Sequence, residues 1–304
     1  MTQLAIKTKN LTKYFGKKAV VNDLALSVPS GKACGFLGPN GAGKTTTLRM
    51  LLGLCRPYTG EISLLGMESP TKIKDINRRV GSLIERPTFY ADMSAILNLQ
   101  IFGNIGSTVS DARIEEVLKL VGLWGEHEKT FASYSTGMAQ RLGIAFSLLD
   151  DPDLIILDEP TSGLDPRGRA NVREIIKKLI AHKEMTVFLS THLLHEVEEI
   201  CDWVCIIDEG RLVVQGQVDE LLSKENEVFT IKVSEKEDFT AFFSSLDYVN
   251  KVTFSPSCYK LQAQKGSAPL LARDIIGKGI NLKALIPEDK SLEDFFLKVT
   301  GNGV

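Results

Sequence analysis

The sequence has no long hydrophobic run. Nowhere does it approach the stretch of about 18 apolar residues that crosses a bilayer as a helix, so work on a membrane substrate would need another polypeptide. Met1 to Asn10 is too polar for a secretory signal, and the expected location is cytoplasmic. Charge of one sign is also missing: 36 Lys and Arg against 38 Asp and Glu leave a net charge of −2. Without a basic field, nucleic acid is not an expected partner. Cysteines are few; the five fit no zinc spacing and read as small core hydrophobes kept reduced. There is no internal repeat, no low-complexity tract and no [NT]-K-x-D base-reading motif. These absences exclude solenoids, disordered linkers and guanine-nucleotide switches.

What is there suits a globular protein. The chain has 304 residues, 43% of them hydrophobic and 24% charged, enough for one large domain or two unequal ones. Cys34–Leu37, Leu154–Leu157, Val187–Ser190 and Val204–Ile207 are short apolar runs that read as buried strands. Helical stretches such as Thr45–Leu54 and Gly168–Ala181 alternate with them, which predicts an α/β fold with a mostly parallel sheet. Leu4–Val28 reads instead as antiparallel, with a turn at Gly16-Lys17-Lys18. The strand signal fades between Glu85 and Asp150. There Ile114, Val117, Leu118 and Val121 share one helical face and Asp111 marks a helix start, so a helical insert is expected at about 86–150. A break near Ser223-Lys224-Glu225-Asn226 bounds a first domain, 1–222. Residues 223–304 then read as a small α+β domain with a βαββαβ ferredoxin-like order plus a last helix, Ser291–Val299.

The chemistry is concentrated in few places. Gly38-Pro39-Asn40-Gly41-Ala42-Gly43-Lys44-Thr45 fits G-x-x-x-x-G-K-[ST] between a predicted strand and a predicted helix. Small residues let backbone N–H groups wrap phosphates. Lys44 is placed to reach the β- and γ-phosphates of ATP, and Thr45 offers a hydroxyl to Mg²⁺; Thr46 follows it in the site. Asp158 ends the strand Leu154–Leu157 and can supply the metal's carboxylate. Glu159 points differently, since side chains alternate on a strand, and can polarise a water. Ser135 and Gly137 precede a helical run, Arg141–Leu149, and a helix N-terminus with small residues is a position where anions bind, although such turns often only cap helices.

Together these elements resemble the ABC transporter ATPases over residues 4–221. Tyr134-Ser135-Thr136-Gly137-Met138 is similar to the family's signature Leu-Ser-Gly-Gly-Gln, with Thr136 and Met138 departing from it. The resemblance implies a D-loop at Asp165, a switch histidine at His192 that senses the γ-phosphate, and an adenine-stacking aromatic at Phe15, with Tyr14 as the alternative. It also implies a homodimer sandwiching two ATP molecules, in which Ser135 and Gly137 of one copy face the ATP held by the other.

Most relatives carry a glutamine where this chain has Glu85, near the metal and the transmembrane partner. Glu85 is therefore a candidate for the metal set with Thr45 and Asp158. Leu83-Ile84-Glu85, the altered signature and the tail Ser291-Leu292-Glu293-Asp294-Phe295-Phe296-Leu297 resemble the bacitracin-resistance and lantibiotic-immunity exporters. The implied function is an ATP-hydrolysing subunit powering a separate transmembrane permease that docks near Glu85–Tyr90. Its place is then peripheral, on the inner face of the cell membrane. The alternative is a soluble ABC ATPase regulating a process other than transport.

Overall fold

The computed structural model describes residues 3–299 except 57, 70, 106–107, 184, 223–225, 235–236, 256–257 and 289–291. The chain divides into two compact units, Met1–Val218 with Phe296–Val304, and Asp219–Phe295. That division falls a few residues ahead of the boundary expected at 222.

The first unit opens with the expected antiparallel pairing. β1 (Leu4–Phe15) turns through Gly16 (φ 60°) into β2 (Lys18–Leu24), and β3 (Ser27–Pro29) pairs back on the start of β1. β4 (Ala33–Leu37) is buried at every position, as its apolar sequence requires, and α1 (Lys44–Leu51) follows it. α1 stops before the expected Leu54 because Gly53 adopts a left-handed conformation (φ 72°). There the N–H groups of Gly53 and Leu54 turn back to the carbonyls of Met50 and Arg49. β5 (Thr59–Leu64) and β6 (Met67–Ser69) complete an antiparallel sheet ordered β2-β1-β5-β6, with β3 on β1. Short α2 (Ile73–Asn77) leads into β7 (Val80–Leu83).

The helical insert follows: α3 (Ala95–Gly103), α4 (Asp111–Leu120) and α5 (Thr136–Ser147). Among the described residues no strand occurs between β7 and the next strand, β8 (Leu154–Asp158). Ser94, Ser110 and Ser135 cap the three helices by accepting from backbone N–H groups in their first turns. Ile114, Val117, Leu118 and Val121 are buried, as their spacing predicted. The unit continues with α6 (Pro166–Lys183), β9 (Thr186–Thr191), α7 (Leu194–Ile200), β10 (Trp203–Asp208) and β11 (Arg211–Gln217), and the division between the units falls at the start of α8 (Val218–Leu222). The central sheet runs β11-β10-β4-β9-β8-β7. Every pair in it is parallel except β10 with β11. Its core includes Phe36 stacked on Phe188, with ring centroids 5.3 Å apart. Cys34, Cys201 and Cys205 are buried there, and all five cysteines are free thiols; burial pushes the Cys34 and Cys201 thiols up.

The second unit holds β12 (Asn226–Val233), α9 (Thr240–Ser244), β13 (Val249–Ser255), β14 (Cys258–Gln264), α10 (Ala268–Gly277) and β15 (Leu282–Glu288); α11 (Leu292–Val299) ends the described chain. Its sheet is antiparallel throughout, in the order β13-β14-β12-β15. Its elements follow one another in the order βαββαβ. α9 begins at Thr240, where the Asp238 carboxylate accepts from both the N–H and the hydroxyl of that residue. Phe229, Ile231, Phe243, Tyr259, Leu261, Leu271 and Ile275 form a separate core. The expected start of the last helix at Ser291 lies outside the described residues.

Candidate active site

The Gly38–Thr45 loop leaves the carboxyl end of β4 and is walled on two sides. A Cβ on Gly43 (φ 103°) would lie 2.7 Å from the Val20 carbonyl oxygen of β2, and one on Gly38 2.4 Å from that of Ile207 on β10. Backbone presses on the loop at both points, so only glycine fits. Pro39, Asn40 and Gly41 form its exposed crest and Ala42 its buried side, where the Ala42 carbonyl accepts from Gly210 N–H at 3.0 Å. Thr46 is half-buried in the first turn of α1.

Lys44 is only 6% exposed. Its Nζ donates to the carbonyls of Gly38 (2.7 Å) and Pro39 (3.2 Å) and lies 3.9 Å from Glu159 Oε1. Burial holds the ammonium below the usual lysine range, outweighing the opposing pull of Glu159 and Asp158.

β8 delivers two carboxylates with different partners. Asp158 Oδ2 accepts from Thr45 Oγ1 at 2.8 Å, and its Oδ1 accepts from Ser190 Oγ. Glu159 leaves the strand with φ 45°, a left-handed conformation uncommon for a side chain of this kind. Its N–H is held by both the carbonyl (3.1 Å) and the hydroxyl (3.0 Å) of Ser190. The Glu159 carboxylate then meets His192 Nδ1 at 3.2 Å. Lys44, Glu159 and His192 thus form one chain of contacts beside the Thr45–Asp158 pair.

Ser190 was not assigned a role from the sequence. The available signal was a pair of polar residues, Ser190 and Thr191, closing an otherwise apolar strand. Both are at most 1% exposed, and buried polar groups at a strand end must be hydrogen-bonded to something.

Ser135 and Gly137 sit elsewhere. They line a hollow with Gly163, Leu164, Asp165 and Gly168, and no described hydrogen bond joins them to Lys44, Thr45 or Asp158. Asp165 Oδ1 caps α6 by accepting from Gly168 N–H at 2.9 Å. Arg141 braces the first turn of α5, donating to the Gly137 carbonyl (3.4 Å) and to those of Val121 and Gly122 (both 3.0 Å).

Two candidates are placed differently from the rest. Glu85 (φ 69°) follows β7 and forms an ion pair with Arg49 of α1, and no described contact links it to Thr45 or Asp158. Phe15 ends β1 at 54% exposure, its ring under Lys13 Nζ at 5.0 Å from the centroid.

The donor set fits a magnesium–phosphate ligand. Mg²⁺ takes hard oxygens and is held by one or two carboxylates together with substrate phosphates. A hydroxyl and a carboxylate already in contact at the foot of the glycine-rich loop supply that. Among the described residues no group of three or more His, Cys, Asp or Glu is placed to hold a metal. None of the described helices is long and apolar enough to cross a membrane.

The ABC transporter family model matches residues 21–162. The bacitracin transport ATP-binding protein BcrA of Enterococcus faecalis is 36% identical over 301 residues, covering 99% of this chain and 98% of that one. The chain belongs to the ABC transporter ATP-binding family. The Nod factor export ATP-binding protein I of Cupriavidus pinatubonensis is 36% identical, over 97% of this chain and 90% of that protein. A solved ATP-binding subunit of an ABC transporter superposes with a TM-score of 0.63 at 29% identity, covering 71% of this chain and 91% of its own. ABC ATPases bind ATP, generally with Mg²⁺.

Proposed function

We propose that the chain is the ATP-hydrolysing subunit of an exporter for a peptide antibiotic, working beside a separate transmembrane permease. The observation that carries the hydrolytic part is the convergence of Thr45, Asp158, Glu159 and His192 beside the loop that holds Lys44. The name of one relative, for bacitracin transport, supports the cargo class, and that of another, for Nod factor export, supports the export direction.

In this reading the loop amides wrap the phosphates of ATP, and Lys44 exchanges the carbonyls of Gly38 and Pro39 for phosphate oxygens. Thr45 and Asp158 would hold Mg²⁺, which draws charge from the phosphate oxygens when bound. Glu159 orients water and accepts its proton, while His192 fixes the Glu159 carboxylate through Nδ1. Phe15, half exposed at a strand end, offers a face for adenine. Ser135, Gly137 and Asp165 line a hollow apart from this cluster, which suits a homodimer where each copy completes the other's site.

The permease docks at Glu85–Tyr90, next to an aromatic cluster. The Phe89 ring lies 5.2 Å from Phe131 and 5.7 Å from Phe102. Tyr90, Leu97 and Ile101 leave apolar surface open beside it, at 50%, 48% and 39% exposure. Docked there, the subunit lies at the inner face of the membrane.

The test has two arms. Purified protein should hydrolyse ATP in a Mg²⁺-dependent way. Cells expressing it with its permease should survive bacitracin better than cells whose subunit carries Lys44→Ala. Absent turnover refutes the ATPase reading; turnover without any change in survival refutes the cargo assignment.

A further inference from the structure

Glu196 carries a buried carboxylate that the reaction above leaves unused. It is 1% exposed and sits in the first turn of α7. Its Oε2 accepts from two hydroxyls, Thr161 Oγ1 at 2.7 Å and Thr191 Oγ1 at 3.3 Å. Among the described residues its Oε1 has no hydrogen-bond partner. A carboxylate so placed is costly, since burial strips its water and two neutral donors restore only part of it. The first turn of a helix favours negative charge, but an amide or an apolar side chain would pack there at less cost.

The two hydroxyls belong to two segments of the site. Thr161 stands between Glu159 and Asp165, and its carbonyl accepts from Leu164 N–H at 3.2 Å, closing the turn that presents Asp165. Thr191 directly precedes His192, and its Oγ1 accepts from Leu193 N–H at 3.0 Å, closing the turn on the other side of the histidine. The Glu159–His192 contact spans the same two segments at 3.2 Å. α7, which carries Glu196, is tied to α6 by the Arg173–Glu199 ion pair at 2.6 Å, and α6 is the helix that Asp165 caps.

We propose that Glu196 is a positioning residue for hydrolysis: it clamps the Glu159–Asp165 segment to the Thr191–His192 segment. The clamp keeps the water-orienting carboxylate, the histidine and the D-loop aspartate in one register. Movement at Asp165, on the face offered to a second copy, is then carried to Glu159 and His192 through Thr161, Glu196 and Thr191. The inference rests on the ATPase reading and adds a residue that touches neither nucleotide nor water.

The test is steady-state ATP turnover of the full chain as wild type, Glu196→Gln, Glu196→Ala and Thr161→Val, with thermal melting and nucleotide affinity measured alongside. Glu196→Ala should lower kcat about 10- to 100-fold, the usual cost of losing an outer-shell partner, with KM for ATP unchanged because the phosphate loop is untouched. Glu196→Gln keeps an acceptor oxygen for both hydroxyls and should restore most of the turnover. Thr161→Val should behave like Glu196→Ala while removing only a hydroxyl, so it decides the matter if the alanine variant folds poorly. The clamp is overturned if the Glu196→Ala and Thr161→Val proteins turn over like wild type. It is equally overturned if Glu196→Gln is as impaired as Glu196→Ala and both losses follow a lowered melting temperature. A wild type without turnover overturns the ATPase reading and the clamp together; an active wild type with indifferent variants overturns the clamp alone.

Discussion

Thr45 Oγ1 donates a 2.8 Å hydrogen bond to Asp158 Oδ2, joining residues 113 positions apart. The first residue of a helix after its lysine and the last residue of a strand thereby share one corner of the sheet. Thr45→Val keeps the shape and removes the donor, leaving Asp158 with Ser190 as its side-chain donor. The variant should lose about 1 kcal/mol of stability. Mg²⁺-dependent turnover should fall about 10- to 100-fold, with a higher Mg²⁺ requirement. Thr45→Ser should stay near wild type on both measures. Urea unfolding and a Mg²⁺ titration of turnover check the two effects separately, and equal Mg²⁺ requirements in all three proteins would contradict the metal role.

Glu159 is the other half of the β8 terminus. Its backbone is left-handed, and its carboxylate contacts His192 Nδ1 rather than Thr45. Glu159→Gln keeps size and hydrogen-bonding shape but not basicity. ATP binding should survive, turnover should fall about 10²- to 10⁴-fold, and a dimer should accumulate in ATP. Size-exclusion chromatography with and without ATP reads the dimer. Turnover close to wild type would remove Glu159 from the water-activating role.

Tyr134, ahead of the capping Ser135, gives a pH test of how the signature segment is seated. Its hydroxyl donates to the Glu126 carbonyl at 2.8 Å. Burial first, then the Glu126 charge, pushes the phenol up to about 12 from 10, against the pull of Arg141. The unfolded chain loses this proton near pH 10 and the folded chain keeps it. Between pH 10 and 12 the unfolded state therefore binds fewer protons, and stability falls as pH rises. Tyr134→Phe should cost about 1 kcal/mol at neutral pH for the lost hydrogen bond. It should also flatten the decline of melting temperature across the alkaline window. Parallel curves for the two proteins would show that the phenol titrates as if unfolded.

The parts of the fold legible in the sequence are those written in local pattern. The buried run Cys34–Leu37, the glycine loop and the apolar strand ending in Asp158 all sit where their residues predicted. So does the βαββαβ order of the second unit, because each strand and helix there carries its own periodicity. Strands β5, β6, β7 and β11 were not read. β5, β6 and β11 are half-exposed antiparallel pieces whose residues alternate weakly, and β7 is a four-residue run whose partner, β8, lies beyond the helical insert. The network behind the site was illegible for a related reason. Ser190, Thr161 and Glu196 acquire meaning only when β8, β9 and α7 come together, and nothing in the spacing of Glu159, His192 and Glu196 announces that a single carboxylate joins both segments. Glu85 is the sharpest case. The resemblance placed it toward the metal, whereas tertiary packing gives its carboxylate to Arg49.

That ion pair reshapes what Glu85 can do. Arg49 lies on α1, the helix that starts with Lys44, while Glu85 begins the segment proposed to meet the permease. The pair therefore links the helix after the glycine loop to the proposed docking surface. Its side chains are 42% and 63% exposed, and an exposed pair contributes only about 0–1 kcal/mol, so its value lies in coupling rather than stability. Arg49→Ala and Glu85→Ala should each leave the melting temperature and the isolated subunit's ATP turnover nearly unchanged. In cells with the permease, each should reduce bacitracin resistance, and the double variant should be no worse than either single one, because both remove the same link. Glu85→Gln retains an acceptor oxygen for Arg49 but loses the charge, so its effect should be smaller. Expression matched by immunoblot makes the comparison fair. Additive losses in the double variant would mean that the two residues act separately. A raised Mg²⁺ requirement in Glu85→Ala, absent in Arg49→Ala, would return Glu85 to the metal set with Thr45 and Asp158.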